Sequence, residues 1–217
     1  ERAQMYEKEQ PMAASPSRQI PWWLFALVLG LNALWLWLYI VPAGWSEDGL
    51  LEITRLTARL SVLLFFLTFA ASALFKLWRN TATRWLLANR RYMGLSFALS
   101  HFIHLGALTA FFLVSPEEPA LVAVIGGGIG YAFIAALALT SNDRAQRALG
   151  ANWRRLHLTG SWYLWAIFLN SYTGRVGEGR EPEWLFLGLT GLVLSIALLR
   201  FAAWMKLRRQ RLARQAV

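Results

Sequence analysis

The composition of this 217-residue chain excludes an ordinary soluble domain, because 57% of its residues are hydrophobic and its mean hydropathy is +0.39. Such a chain has too little polar surface for a soluble fold and is typical of polytopic membrane proteins. The net charge of +10 comes mostly from basic residues in connections on one side of the predicted membrane bundle. No nucleic-acid partner is therefore expected. The absence of cysteine excludes disulfides, thiolate-bound iron–sulfur clusters, covalently attached c-type haem and thiol catalysis by this chain.

Six apolar runs approach the ~20 residues that a helix needs to cross ~30 Å of hydrocarbon. Lipid offers the backbone no hydrogen-bond partner, so each run is predicted to be an α-helix. The predicted spans are residues 20–41, 56–77, 92–114, 120–140, 157–172 and 184–205. The sequence therefore predicts an all-α fold, a six-helix transmembrane bundle embedded in the lipid bilayer.

The distribution of the 22 Lys and Arg residues predicts the orientation of this bundle. Most of them lie before span one, around the connections between spans two and three and between spans four and five, and after span six. The alternate connections are acidic or mixed. Basic connections face the cytoplasm, so both termini are predicted to be cytoplasmic. We expect a polar segment 1–19, a six-span domain 20–206 and a basic cytoplasmic tail 207–217.

Two short motifs predict local structure near the membrane. Ser141, Asn142 and Asp143 can end one helix and cap a short polar helix, which Gly150 would then stop. Three consecutive glycines at 126–128 and a fourth at Gly130 lie in mid-membrane, and no Lys follows them as in a phosphate-binding loop. They therefore indicate close packing between helices.

All three histidines lie inside predicted spans or at their edges. Imidazole is costly at bilayer depth and is the usual axial ligand of haem iron. His101 and His104, three residues apart, share roughly one face of span three. His157 begins span five near its inner boundary, and Asn170 in the same span matches His104 in depth. The residues suggest two haem levels, each with one clear histidine; the alternative is that these are polar residues satisfied inside a bundle.

Two arginine pairs are candidate anion-binding groups. Arg55 and Arg59 stand four apart on one face near the outer end of span two. They would pair either with haem propionates or with lipid phosphate and nearby acidic residues. Arg154 and Arg155 would hold an inner propionate or a flavin phosphate, or would serve as ordinary positive-inside anchors. The same alternatives apply to Arg90 and Arg91.

Several stretches resemble a known family. The stretches are RRYMGL at 90–95 followed by His104, TSN at 140–142, LGANWRRLH at 149–157 and TAR at 57–59. They resemble the ferric reductase-like transmembrane domain family, and within it most of all the MsrQ subunits, the haem-binding membrane subunits of the periplasmic methionine sulfoxide reductase system. The resemblance covers spans two to five.

The resemblance implies a six-helix b-type cytochrome bundle that holds one or two haem b groups. His104 and His157 match haem-ligand histidines of the family, and Asn170 stands where the family has a second histidine on span five. Asparagine is a poor iron ligand. The outer level would therefore hold a five-coordinate haem on His104, recruit another ligand such as His101, or be empty.

The functional expectation is a haem protein of the bacterial inner membrane. It would pass electrons from a cytoplasmic-side flavin, such as FMN, or quinol to an outer-side acceptor, as at most the electron-transfer subunit of an oxidoreductase. The connections are too short to contain a soluble redox domain, so a partner protein or larger membrane complex is expected. The alternative is a haem-poor structural or assembly subunit of such a complex.

Overall fold

The regular elements of the computed structural model, which describes residues 20–176 and 183–215, are all α-helices. Six are long: α1 (Trp22–Ala43), α2 (Glu47–Leu77), α4 (Arg90–Val114), α5 (Leu121–Leu139), α7 (Ala151–Thr173) and α8 (Glu183–Gln215). Two are short: α3 (Thr81–Ala88) and α6 (Asp143–Leu149). The all-α prediction is confirmed for the described residues, and the predicted polar segment 1–19 lies outside them.

Five of the described helices, α1, α2, α4, α5 and α8, are long and apolar enough to cross a membrane. The predicted fifth span corresponds to α7, whose 23 residues extend about 35 Å at 1.5 Å per residue. Its many polar side chains, among them Arg154, Arg155 and His157, keep it out of the apolar set. The chain is thus a multi-pass membrane protein with five candidate spans among its described helices.

Helix ends differ from the apolar boundaries where polar caps extend the helix. The second predicted span begins at residue 56, but α2 begins at Glu47, because the Ser46 side chain accepts a hydrogen bond from the Gly49 N–H at 3.3 Å. Glu47 and Asp48 then favour the helix N-terminus electrostatically. At the other end of the chain α8 continues through the predicted tail, 207–217, as far as Gln215.

Helix α2 is the centre of the bundle, since it packs against α1, α3, α4 and α8. Its side chains include the most deeply buried of the core, such as Val62 at 0% and Phe69 at 1% exposure. Helix α7 packs against α5 and α8. Helices α4 and α7 are not among the closely packed helix pairs of the described residues.

The polar ends of the helices come together as the antiparallel topology requires. At one end, the acidic end, Ser115 Oγ donates to Glu47 Oε1 at 2.7 Å. At the other, the basic end, Arg91 forms an ion pair with Asp143, and Lys206 Nζ donates to Lys76 O at 3.0 Å. The connections predicted to share a side of the membrane therefore share an end of the bundle.

The two short helices are explained by their caps. For α6 the prediction is confirmed: Asn142 Oδ1 accepts from the Ala145 N–H at 2.8 Å, and Gly150 follows the helix with φ of 50°. Helix α3 is not predicted from the apolar pattern. It begins with a capping box in which Thr83 N–H donates to Asn80 Oδ1 at 2.9 Å and Asn80 N–H donates to Thr83 Oγ1 at 3.2 Å.

The glycine run of α5 packs only in part. A Cβ on Gly126 would lie 3.6 Å from Ile167 of α7, and one on Gly130 would lie 3.7 Å from Leu164. A Cβ on Gly127 or on Gly128 would have no neighbouring atom within 4 Å. The packing prediction is confirmed for the two glycines that are four residues apart and face α7, and it is wrong for the two between them.

Candidate functional site

His101 lies at the middle of α4, and His104 lies one turn nearer the acidic end. His104 Nδ1 is 3.2 Å from Thr57 Oγ1 of α2. That hydroxyl, in a residue only 1% exposed, also donates to Ile53 O at 2.8 Å. A buried side chain on a neighbouring helix therefore orients this imidazole.

His101 is enclosed by rings. Its centroid lies 5.2 Å from His104, 5.0 Å from Tyr131 and 5.7 Å from Phe168. Its Nδ1 is buried and has no hydrogen-bond partner within residues 20–176 and 183–215. A buried polar atom without a partner is unusual in folded proteins and calls for an explanation.

The structure does not bring Asn170 to these histidines. Asn170 is exposed, whereas Leu164, Phe168 and Tyr172 form the buried face of α7. Two residues correspond to about 200° around a helix, so Asn170 and Phe168 face opposite directions. The residue of α7 that reaches His101 is Phe168.

The two arginines of α2 remain on one helix face, as predicted from their spacing. Arg55 Nη1 forms an ion pair with Glu52 Oε1 at 2.6 Å, so the acidic neighbour considered from the sequence is its partner. Arg59 lies one turn further along and is half-buried.

His157 lies towards the basic end, in a different environment. Its Nε2 is 3.0 Å from Thr140 Oγ1 at the end of α5. Its ring stacks on Trp153 at 4.1 Å with an interplanar angle of 28°, and Trp153 Nε1 donates to Thr140 O at 2.9 Å. The TSN and W-R-R-L-H stretches picked out in the sequence are thus joined in space by these contacts.

A cavity of about 720 Å³ opens beside His157 between α2, α4, α5, α7 and α8. Its apolar lining residues include Phe65, Phe97 and Leu164. Its cationic lining residues are Lys76, Arg90, Arg91, Arg154 and Arg200. No Asp or Glu of the described chain lines it. Arg154 is therefore part of the cavity, while Arg155 points elsewhere, with Nη1 3.5 Å from Asn152 Oδ1.

Arg200 is a member of this site that the sequence reasoning missed. It comes from α8 and donates from Nη1 to Phe69 O at 2.8 Å. Its guanidinium lies 4.0 Å from the centroid of the Phe69 ring and 5.3 Å from that of Trp162. The signal was available, because Arg200 is the lone charged residue in the predicted span 184–205.

Packed aromatic rings lie between the histidines of α4 and the cavity. Phe65 is central, with ring centroids 5.2 Å from Phe168, 5.3 Å from Phe97 and 5.4 Å from Phe69. We call this group the aromatic layer: Phe65, Phe69, Phe97 and Phe168. All four rings are buried. The layer contacts His101 on one side and Trp162 of the cavity on the other, at 5.7 Å and 5.1 Å.

Two curated relatives are similar to this chain over most of their length. Proteins of Yersinia pseudotuberculosis serotype O:1b (strain IP 31758) and Yersinia pestis (strain Pestoides F) are each 34% identical over 167 residues. The matches cover 69% of this chain and 81% and 80% of the relatives. Both are named protein-methionine-sulfoxide reductase heme-binding subunit MsrQ. The chain belongs to the MsrQ family.

This membership confirms the resemblance found in the sequence. No protein-family model matches the chain, and no solved structure matches it. As an MsrQ family member with five candidate spans, the chain is a multi-pass protein of the bacterial inner membrane.

Proposed function

We propose that this chain is a haem-binding membrane subunit that passes electrons across the bilayer to a partner oxidoreductase. The observation that carries the proposal is its membership of the MsrQ family, whose curated members are named for haem binding. The positions of all three histidines, two in the bundle core and one beside the cavity, support it. Bound haem b would supply a one-electron redox centre, and the protein would set its position and potential.

At the level nearer the acidic end, His104 is the proposed iron ligand. Two observations support that role: Thr57 lies within hydrogen-bond distance of the His104 ring, and His101 has a buried Nδ1 without a protein partner in the described chain. His101 and His104 are one turn apart on the same helix, so they cannot bind the two opposite faces of one porphyrin. With Asn170 turned away, the geometry favours a five-coordinate haem on His104, with His101 beside it as a hydrogen-bonding group.

At the basic end, the cavity beside His157 is the proposed entry point for electrons. Its volume and its apolar wall suit a planar aromatic ligand such as a flavin, a quinol or a second haem b. His157 would hydrogen-bond or ligate that group, and Arg154 would face its anionic edge. Helix α7, the predicted fifth span, would cross the membrane in addition to the five apolar helices, since its length suits a crossing. The positive-inside pattern places this end in the cytoplasm and the electron acceptor outside.

The visible spectrum of the detergent-purified protein, oxidised and dithionite-reduced, tests the proposal. A b-type spectrum with a pyridine haemochrome count of about one per chain is expected for a haem on His104 alone. His104→Ala should remove most of the Soret absorbance at that level. Ser96→Ala is the matched control, because Ser96 is buried on the same helix and has no hydrogen-bond partner in the described chain to lose.

The second candidate function is a structural or assembly subunit with little or no haem. The close ring packing around His101 and the outward direction of Asn170 favour it, because haem insertion would require the rings to move. The absence of a Soret band from protein expressed with ample haem would support this function over electron transfer. A wild-type spectrum in His104→Ala would refute His104 as ligand.

A further inference from the structure

Two threonines contact histidine rings, and each stands first in one of the short stretches picked out in the sequence, TAR at 57–59 and TSN at 140–142. Thr57 Oγ1 is 3.2 Å from His104 Nδ1, and Thr140 Oγ1 is 3.0 Å from His157 Nε2. The two hydroxyls thus meet different ring nitrogens. A neutral imidazole has one N–H and one lone pair, so the nitrogen that carries the proton decides what each histidine can bind.

The Thr140 hydroxyl has already used its proton. It donates to Ala136 O at 2.6 Å, one turn back along the chain. That distance is usual for an O–H···O bond, whereas the 3.0 Å to His157 is usual for an N–H···O bond. A hydroxyl has one proton and two lone pairs, so the Thr140 oxygen accepts from the ring. His157 therefore carries its proton on Nε2 and leaves Nδ1 as the lone pair.

The Thr57 hydroxyl is used in the same way. It donates to Ile53 O at 2.8 Å and lies 3.1 Å from Thr54 O. The Thr54 backbone is itself a hydrogen-bond partner of the His104 ring. Because Thr54 lies inside α2, its N–H is taken by the helix, and the group left for the ring is its carbonyl, which only accepts. His104 therefore carries its proton on Nδ1 and leaves Nε2 as the lone pair.

The ring of His157 is held in this position from two sides. Trp153 stacks on it at 4.1 Å, and Trp153 Nε1 donates to Thr140 O at 2.9 Å. The hydroxyl of Thr140 thus bonds the ring, and its carbonyl bonds the residue stacked on that ring. Partners of this kind fix the tautomer and the orientation of a histidine.

We propose that Thr57 and Thr140 are positioning residues that hold His104 and His157 in opposite neutral tautomers. His104 presents Nε2 as its lone pair, and His157 presents Nδ1. The resemblance found in the sequence assigns both histidines to haem, whereas these hydrogen bonds distinguish them.

The two tautomers give the histidines different uses. Nε2 lies at the outer end of the imidazole ring, where a planar macrocycle can approach, and a ligand histidine ordinarily donates its other N–H to a protein group. Nδ1 lies close to Cβ, so a macrocycle bound there would strike the backbone of α7. His104 is therefore preset as an iron ligand, and His157 as a hydrogen-bond or proton acceptor beside the cavity. The statement about iron rests on the proposed function; the tautomers do not.

Nitrogen NMR of the purified full chain, with isotope-labelled histidine, tests the tautomers directly. Protonated and unprotonated ring nitrogens resonate far apart, and their couplings to the ring C–H protons show which nitrogen is which. The protein is prepared from cells grown without and with an added haem precursor. His104→Ala and His157→Ala each remove one pair of signals and so assign the spectrum. In the haem-poor sample we expect a protonated Nδ1 in His104 and a protonated Nε2 in His157.

Thr140→Val removes the acceptor of the His157 proton. The His157 signals should then move to the averaged positions of two exchanging tautomers. Thr140→Ser returns the hydroxyl and should return the wild-type signals, which separates loss of the acceptor from misfolding. Thr68→Val is the matched control, because the Thr68 hydroxyl also donates to a backbone carbonyl, Leu64 O at 2.8 Å, and bonds no histidine in the described chain. It should leave the histidine signals unchanged.

The same tautomer in His104 and His157 would overturn the proposal, and so would unchanged His157 signals in Thr140→Val. Haem loading should remove the His104 Nε2 signal and keep the His157 pair. Loss of the His157 Nε2 signal on haem loading would overturn the proposal, since that nitrogen would then bind iron. A His104 pair that haem leaves unchanged would count against the proposed function alone, because the tautomers are read in the haem-poor sample.

Discussion

The Thr57 side chain of α2 lies within hydrogen-bond distance of His104 of α4. Its hydroxyl is buried, bonds to Ile53 O, and lies 3.2 Å from His104 Nδ1. Groups that fix the ring orientation of a ligand histidine commonly change metal affinity 10- to 100-fold when removed. The histidine could be found from the sequence, but the contact that fixes its orientation depends on the packing of two helices.

We predict that Thr57→Val weakens haem binding at His104 by about tenfold or more, because the isosteric side chain removes the hydroxyl while keeping its volume. The measurement is haem titration of the apoprotein followed at the Soret band. Ser61→Ala is the control: Ser61 lies one turn away on α2 and donates to Thr57 O at 2.7 Å, without contacting a histidine. Equal haem affinity in the two variants would contradict an orienting role.

The surroundings of Arg200 could not be predicted from the sequence. The sequence reveals it as a charge in an apolar run, but not that Phe69 and Trp162 will flank it, because those residues come from two other helices. The same holds for Asn170. Its depth along α7 was predictable from residue counting, whereas its direction depends on which face of α7 the bundle buries.

At the scale of the helices, apolar runs located the spans well and misplaced some of their ends. Apolarity reports the hydrocarbon thickness, while caps and charged first turns set where a helix begins. Helix α2 therefore extends past its apolar run, and α3 exists only because of its capping box. The apolar run 157–172 located α7, but the helix begins at Ala151, so its first turns carry polar residues such as Arg154 and Arg155 that lie outside the run.

Side chains of α5 pack closely against Gly160 of α7. A Cβ there would lie 2.9 Å from Phe133 Cδ1 and 3.3 Å from Leu137 Cδ1. We predict that Gly160→Ala lowers stability by about 1–2 kcal/mol, because overpacking outweighs the better helix propensity of alanine. Thermal unfolding in detergent measures this.

Gly127→Ala is the matched control for that substitution. It places the same methyl group on α5 where nothing lies within 4 Å, so it should be neutral or slightly stabilising. If the two variants unfold at the same temperature, the close contact at Gly160 is not a packing constraint.

For the molecule as a whole, the pattern of basic connections predicts which end faces the cytoplasm, and the natural absence of cysteine makes that prediction easy to test. We predict that Glu118→Cys at the acidic end reacts with a membrane-impermeant maleimide in intact spheroplasts. Arg144→Cys at the basic end should react only after lysis. The reverse pattern of labelling would invert the proposed direction of electron flow.

The aromatic layer has a consequence for charge movement across the whole membrane. Four buried phenylalanine rings lie between His101 and the basic cavity, and the rings themselves carry no polar group. Protons need water or titratable side chains to move, and the layer offers neither. An electron crossing from the cavity to His104 would travel without an accompanying proton. Each such crossing would move net charge against or along the membrane potential, at about 2.3 kcal/mol for every 100 mV across the full bilayer thickness.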